Sequence, residues 1–263
     1  MSLKVNFSYA FALQFKESVR KHAFCLRMLP LSNGVQTLLD WELKINGNDV
    51  PFYQTKDGFG NHLLFGTIEK SHRHFEAMLK GSVAFHGSYQ YKDAENAALY
   101  LHPTALTPFT YLAKDYLETL MLPQAPLALS KMLNQIIFKN FEYLAGVSTT
   151  TCDADALLLR QKGVCQDFSH LMITLLRLSN IPARYVAGFI DGEGESHAWV
   201  EALIDGYWRG FDPTHGVMLE HQPYIKIAHG RDFFDCRLNR GVFIGKSQQN
   251  LYVNVTVARD EQQ

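Results

Sequence analysis

Apolar and polar residues alternate in short runs through the first hundred positions. Phe7 to Leu13, Ala23 to Leu29, Gln36 to Leu43 and His62 to Ile68 each fit a strand with one buried face, and turn residues at Ser32-Asn33-Gly34, Asn46-Gly47-Asn48 and Asp57-Gly58 separate them. The spacing predicts an antiparallel β-sandwich over residues 1–105. Leu101 to Pro108, rich in proline and small residues, reads as a linker. The period then lengthens. Helices are predicted over Thr110–Leu120, over Pro126–Tyr143 with Pro126 suited to a first turn, and over Thr151–Lys162 with Thr151 or Asp153 as N-cap. Phe168, Leu171, Met172, Leu175 and Leu176 form an apolar stripe at helical spacing, so a further helix should begin at Cys165 and stop near Asn180. Tyr185–Ile190, His197–Leu203 and Gly206–Phe211 return to strand character. A second domain of mixed type over residues 106–263 follows, with α+β the overall class, and no repeat or low-complexity tract interrupts it.

This pattern puts three reactive side chains at the ends of elements. Cys165 opens the apolar helix directly after Gly163-Val164. A helix N-terminus lowers a thiol's pKa because unpaired N–H groups and the helix dipole favour negative charge. The glycine leaves room for a substrate, and the Cys165 N–H would face a developing oxyanion. His197 begins a strand beside the Asp191-Gly-Glu-Gly-Glu-Ser196 loop, and alternation sets Trp199 and Glu201 on its face. Asp212 ends the next strand, where Pro213 stops the ladder. A tight Asp205-Gly206 turn between those two strands would bring His197 and Asp212 to the same end of a hairpin. A thiol, an imidazole and a carboxylate are the parts of nucleophilic acyl transfer. Each also has an ordinary reading: a cysteine at the start of an apolar helix is usually a small buried hydrophobe, and an Asp-Pro pair is usually a turn.

Composition narrows the field. In 263 residues, 47% hydrophobic content with 13% aromatic supports a packed core, and a net charge of −1 gives no global pull toward nucleic acid or an anionic membrane. No stretch approaches the ~20 apolar residues that span a bilayer, and the first residues do not read as a signal peptide. The four cysteines, Cys25, Cys152, Cys165 and Cys236, form no CxxC and no metal-ligand spacing. A free Cys165 leaves an odd number, so a reducing, cytoplasmic setting is expected, with no cofactor and no metal.

Weaker candidates remain. His72 and His74 share a strand face and could join His62 around a metal, although exposed edge histidines are the commoner case. Asp191-Gly-Glu-Gly-Glu195 could bind calcium, although a mobile loop over a cleft fits better. Trp199 and Trp208 suit the core or a cleft wall. Gln161 and Gln166 are possible side-chain oxyanion donors.

Four segments taken together resemble the transglutaminase-like superfamily of papain-type thiol enzymes. They are Gly163-Val-Cys-Gln-Asp-Phe168, Ile181-Pro-Ala-Arg-Tyr-Val186, Ser196-His-Ala-Trp-Val-Glu201 and Tyr207-Trp-Arg-Gly-Phe-Asp-Pro-Thr214. The tail, with Gly230 to Asp235, Gly241 to Gly245 and an alternating Leu251–Val257 strand, is similar to the end of bacterial members regarded as cysteine proteases. Asp235 to Arg240 departs from the more usual Pro-containing stretch there. Leu26 to Pro30, Gln36 and Asp57 to Asn61 resemble the β-rich N-terminal domain of the same proteins. The resemblance implies a papain/transglutaminase-like catalytic domain with the nucleophile at a helix N-terminus packed on an antiparallel sheet. It assigns Cys165 as nucleophile, His197 as base and Asp212 as its orienter, acting on a peptide or protein substrate. Hydrolysis is one outcome and transamidation to an amine another. A non-catalytic peptide-binding protein that keeps the fold is the alternative, with a metalloenzyme a distant third.

Overall fold

Alternation beginning at Leu3 carries further than four short strands. The computed structural model describes residues 3–48, 50–93 and 97–259, and the expectations that touch Met1, Ser2, Asp49 and the last four residues lie outside them. Its first strand, β1 (Leu3–Leu26), runs for 24 residues. Val5, Phe7, Tyr9 and Phe11 point into the core at every second position. Phe7–Leu13 and the start of Ala23–Leu29, expected as two strands, are one, and the polar run from Lys16 to Lys21 lies inside it. Register shifts between Gln14 and Val19 and between Arg20 and Ala23 absorb it.

β2 (Gln36–Ile45), β3 (Tyr53–Lys56), β4 (His62–Ile68), β5 (His72–Phe85) and β6 (Gln90–Tyr91) follow. The first half of β1 pairs with β5 and the second half with β4. The result is one continuous, curling eight-stranded sheet, in place of the two separate sheets of the expected sandwich. The physical reason is β1 itself, which belongs to both halves.

The helical segment holds α1 (Tyr111–Glu118), α2 (Pro126–Asn140), β7 (Glu142–Tyr143), α3 (Ala154–Arg160), β8 (Lys162–Gly163) and α4 (Cys165–Leu178). Local chemistry sets the starts. Thr110 caps α1 by accepting from the Ala113 N–H at 3.1 Å, and Pro126 stands in the first turn of α2. Asp153, not Thr151, caps α3, accepting from the Ala156 N–H at 3.0 Å. α2 stops at Asn140, three residues short of expectation, and Tyr143 joins β7, which pairs with β8 in parallel.

The chain then forms β9 (Ala183–Phe189), β10 (Gly192–Gly194), β11 (His197–Ile204), β12 (Tyr207–Asp212), β13 (Val217–Met218), β14 (Ile225–Gly230), α5 (Phe233–Cys236), β15 (Asn239–Ile244) and β16 (Gln249–Arg259). A second sheet has the order β13-β12-β11-β9-β14, with β6 on β12. α4 packs against β9 and β11. The two sheets share one apolar core, in which Phe189 of β9 meets Tyr9 of β1 at 4.9 Å between ring centroids. Traffic between the sheets runs both ways: β10, β15 and β16 from the later half join the first sheet, and β6 from the earlier half joins the second. Among the described residues, no helix is long and apolar enough to cross a membrane.

Ionic groups fasten the halves together. Glu201 of β11 is fully buried and accepts from Arg184 Nε at 2.7 Å, Lys226 Nζ at 2.7 Å and the hydroxyls of Tyr89 at 2.8 Å and Tyr91 at 3.0 Å. Burial opposes its charge, but Lys226 and Arg184 outweigh that and hold it well below the usual carboxylate range. The Arg184 guanidinium also lies over the Trp208 ring at 3.8 Å. A buried glutamate is sustained here because each charge has its partner.

Candidate active site

The β11–β12 hairpin is built by two residues with positive φ, Asp205 at 54° and Gly206 at 76°, the geometry of a tight turn matched to strand twist. Its register pairs Ile204 with Tyr207 and Val200 with Phe211, so His197 and Asp212 fall at the same end. There His197 Nε2 donates to Asp212 Oδ2 at 2.7 Å. That bond leaves Nδ1 as the other ring nitrogen, and His197 lines the same cleft as Cys165. Burial would lower the pKa of His197. The bonded Asp212 carboxylate, and with it the neighbouring Cys165 sulfur, reverse this and raise it to about 10.

Asp212 is completely enclosed. Its Oδ2 takes two further donors, His215 Nδ1 at 2.7 Å and the Tyr224 hydroxyl at 2.9 Å. Its Oδ1 accepts from the Thr214 N–H at 2.8 Å and the His215 N–H at 3.3 Å. Burial opposes ionisation, yet the bonds from His197 and His215 prevail and depress the pKa of Asp212 strongly. His197, Asp212 and His215 also form the one group among the described residues with metal-ligating atoms gathered together, all within 4.8 Å. The donor geometry accounts for that gathering, since both imidazole N–H groups aim at a single carboxylate oxygen.

Cys165 starts α4 half-buried at the edge of the core, while the rest of that first turn is tied down. Asp167 accepts from the Val164 N–H at 2.8 Å, the reciprocal half of a capping box whose other half Val164 has no atom to make. A Cβ on Gly163 would stand 2.8 Å from Asp167 Oδ2, so glycine is needed for that close approach.

Cys165, His197 and His215 line a cleft of about 730 Å3. One wall is the Asp191–Ser196 segment. It is not the free loop expected from sequence, because its centre is β10, paired with β16 from Gly192–Val257 to Gly194–Val255. Tyr143 lines the cleft as well. Gln161 and Gln166 do not: Gln161 is the left-handed C-cap of α3 and Gln166 is buried on α4. Trp199 and Trp208 belong to the core, donating to Tyr89 at 3.0 Å and Asp93 at 2.9 Å. His62, His72 and His74 are dispersed: His72 meets His22 at 3.2 Å, His74 meets Glu76 at 3.0 Å and His62 lies 3.4 Å from Gln54. Sequence reasoning missed His215 and Tyr224. His215 had a signal, three positions after Asp212 in a turn, whereas Tyr224 arrives through tertiary packing with no local mark.

Residues 118–213 match the model of the transglutaminase-like superfamily, and residues 5–84 match that of the bacterial transglutaminase-like N-terminal region. The chain is 35% identical over 128 residues to an uncharacterized protein of Mycobacterium leprae, covering 45% of each. It is 30% identical over 181 residues to an uncharacterized protein of Mycobacterium tuberculosis, covering 62% of this chain and 56% of the relative. It thus spans about half the length of the curated relatives it matches. A solved structure, of a proposed cysteine protease from Cytophaga hutchinsonii, superposes with a TM-score of 0.81 at 21% identity, over 100% of this chain and 92% of that one. At that identity the likeness shows the fold.

Proposed function

The chain belongs to the transglutaminase-like superfamily, and on that premise we propose that it is a thiol-dependent acyl-transfer enzyme that hydrolyses peptide or amide bonds. The observation that carries this is that Cys165 and His197 line one cleft, with His197 bonded from behind to the buried Asp212. An imidazolium beside a thiol favours the thiolate. In the proposed cycle Cys165 Sγ attacks the carbonyl carbon, and the oxyanion lies against the first N–H groups of α4. His197 gives its proton to the leaving amine as the C–N bond breaks, and a thioester remains. Water then loses a proton to His197 and attacks the thioester, releasing the acid and restoring the thiolate–imidazolium pair. Asp212 holds the ring in the productive orientation throughout. The catalytic part is proposed as residues 106–263, which include the β10–β16 wall, and a reducing, cytoplasmic setting remains part of the proposal.

The test is to incubate wild type and Cys165→Ala with a peptide mixture in heavy-oxygen water, with a primary alkylamine present, and to read products by mass. New carboxyl groups carrying heavy oxygen, absent with Cys165→Ala, are the expected result. Amine incorporation with loss of ammonia would replace hydrolysis by transamidation. No product of either kind, with Cys165 inert to alkylation, would overturn the enzyme reading in favour of a peptide-binding protein.

A further inference from the structure

The charge of the cleft is one-sided. Outside the His197–Asp212–His215 group, its charged lining side chains are Asp191, Glu193 and Glu195, all exposed, and no lysine or arginine lines it among the described residues. Asp191 is partly neutralised by Arg259 at 3.2 Å. Glu193 and Glu195 have no cationic partner among the described residues. Tyr143 lines the same cleft and is 54% exposed. Its hydroxyl is pushed above its ordinary pKa, by burial first and then by nearby Cys165 and Glu195. An accessible aromatic ring with carboxylates around it suits an ammonium or guanidinium group.

The backbone adds a second, independent feature. β10 is an end strand, paired with β16 alone among the described residues. Its outer glycines, Gly192 and Gly194, have open space where a Cβ would stand. Such an edge accepts an extended chain by strand addition, in which main-chain bonds give affinity and side-chain contacts give selectivity.

We propose that the cleft takes an extended peptide along the edge of β10, and that Glu193 and Glu195, with Tyr143, select a lysine or arginine side chain on it. This deepens the thiol-enzyme reading by naming a substrate class, and it rests on that reading for its location.

The experiment uses the Cys165→Ala protein, which binds without turnover. Three labelled peptides identical except for one central lysine, acetyl-lysine or glutamate are titrated by fluorescence anisotropy, then titrated again with Glu193→Gln and Glu195→Gln introduced together. The lysine peptide should bind about tenfold tighter than the other two, with an advantage that shrinks in high salt and disappears in the doubly substituted protein. Equal affinities, no measurable binding of any peptide, or a lysine preference that survives the double substitution would each overturn the inference. The acetyl-lysine comparison needs no glutamate variant to fold. Because the readout is binding, an unreactive Cys165 in wild type would sink the enzyme reading while leaving the charge preference to be judged separately.

Discussion

At Asp212 one carboxylate oxygen receives hydrogen bonds from two imidazoles and a phenol, in a place water does not reach. Removing that charge should be far costlier than removing any one donor. Asp212→Asn keeps the shape but offers His197 an amide in place of an anion. Turnover of any substrate found should fall by about 10^3 to 10^4, by the precedent of serine-enzyme triads, with the fold retained on circular dichroism. Tyr224→Phe removes one of three donors to Oδ2. A hydrogen bond to a charged group is worth about 1.5–3 kcal/mol, so a loss of that order in denaturant stability is expected, with activity still measurable. The paired shifts also fix a pH window. Asp212 and Glu201 are depressed, so their contribution is present above the ordinary carboxylate range and is lost as pH falls below it. His197 is raised from 6.5 to about 10, so its contribution is full below pH 6.5 and is lost as pH rises toward 10. Thermal melts should therefore peak in weakly acidic buffer and decline from 6.5 upward, and His197→Gln should flatten the alkaline decline. An unchanged alkaline limb in that variant would contradict the assigned shift. The placement of Cys165, His197 and Asp212 at the ends of elements was legible in the sequence because each of those elements is locally encoded. Tyr224 was not, because a tyrosine ordinarily packs by its ring and only the fold reveals what its hydroxyl meets.

Elements set how firmly the thiol is held. The first turn of α4 depends on the Val164–Asp167 bond and on the missing side chain at Gly163. Gly163→Ala would force a Cβ to within 2.8 Å of the Asp167 carboxylate, so the cap must open. Stability should drop by about 1–3 kcal/mol from strain and the lost cap together, and Cys165 labelling should slow. Wild-type labelling kinetics in that variant would argue that the turn does not position the thiol. Helices and the β11–β12 hairpin were readable because their signals lie within a few residues: Pro126, the Asp205-Gly206 turn, the stripe from Phe168 to Leu176. β10 was unreadable for the opposite reason. Gly-Glu-Gly carries no strand propensity, and the segment is a strand because β16 supplies its partner from more than sixty positions away. The same holds for the middle of β1, where the alternation lapses between two apparent strands and register shifts carry one strand through.

At the scale of the whole molecule, the earlier and later halves are not independent. β16 pairs with β1 along eleven positions and with β10 at the cleft, so the first sheet holds up one wall of the proposed active site. The Glu201 cluster ties Tyr89 and Tyr91 to β9, β11 and β14. Glu201→Gln would leave Arg184 and Lys226 buried without their anion, and a loss of about 3–5 kcal/mol is expected by chemical denaturation. The mixed α+β character of the chain was apparent from pattern alone. The exchange of strands between sheets was not, since it depends on pairings between distant segments that no local period encodes. What tests a thiol enzyme here most directly is iodoacetamide alkylation of the four cysteines from pH 5 to 9, followed by peptide mass, in wild type and His197→Ala. Rapid, selective labelling of Cys165 that persists to pH 5–6 and slows sharply without His197 is the expected result. Labelling of Cys165 at the rate of an ordinary thiol, indifferent to His197, would contradict it.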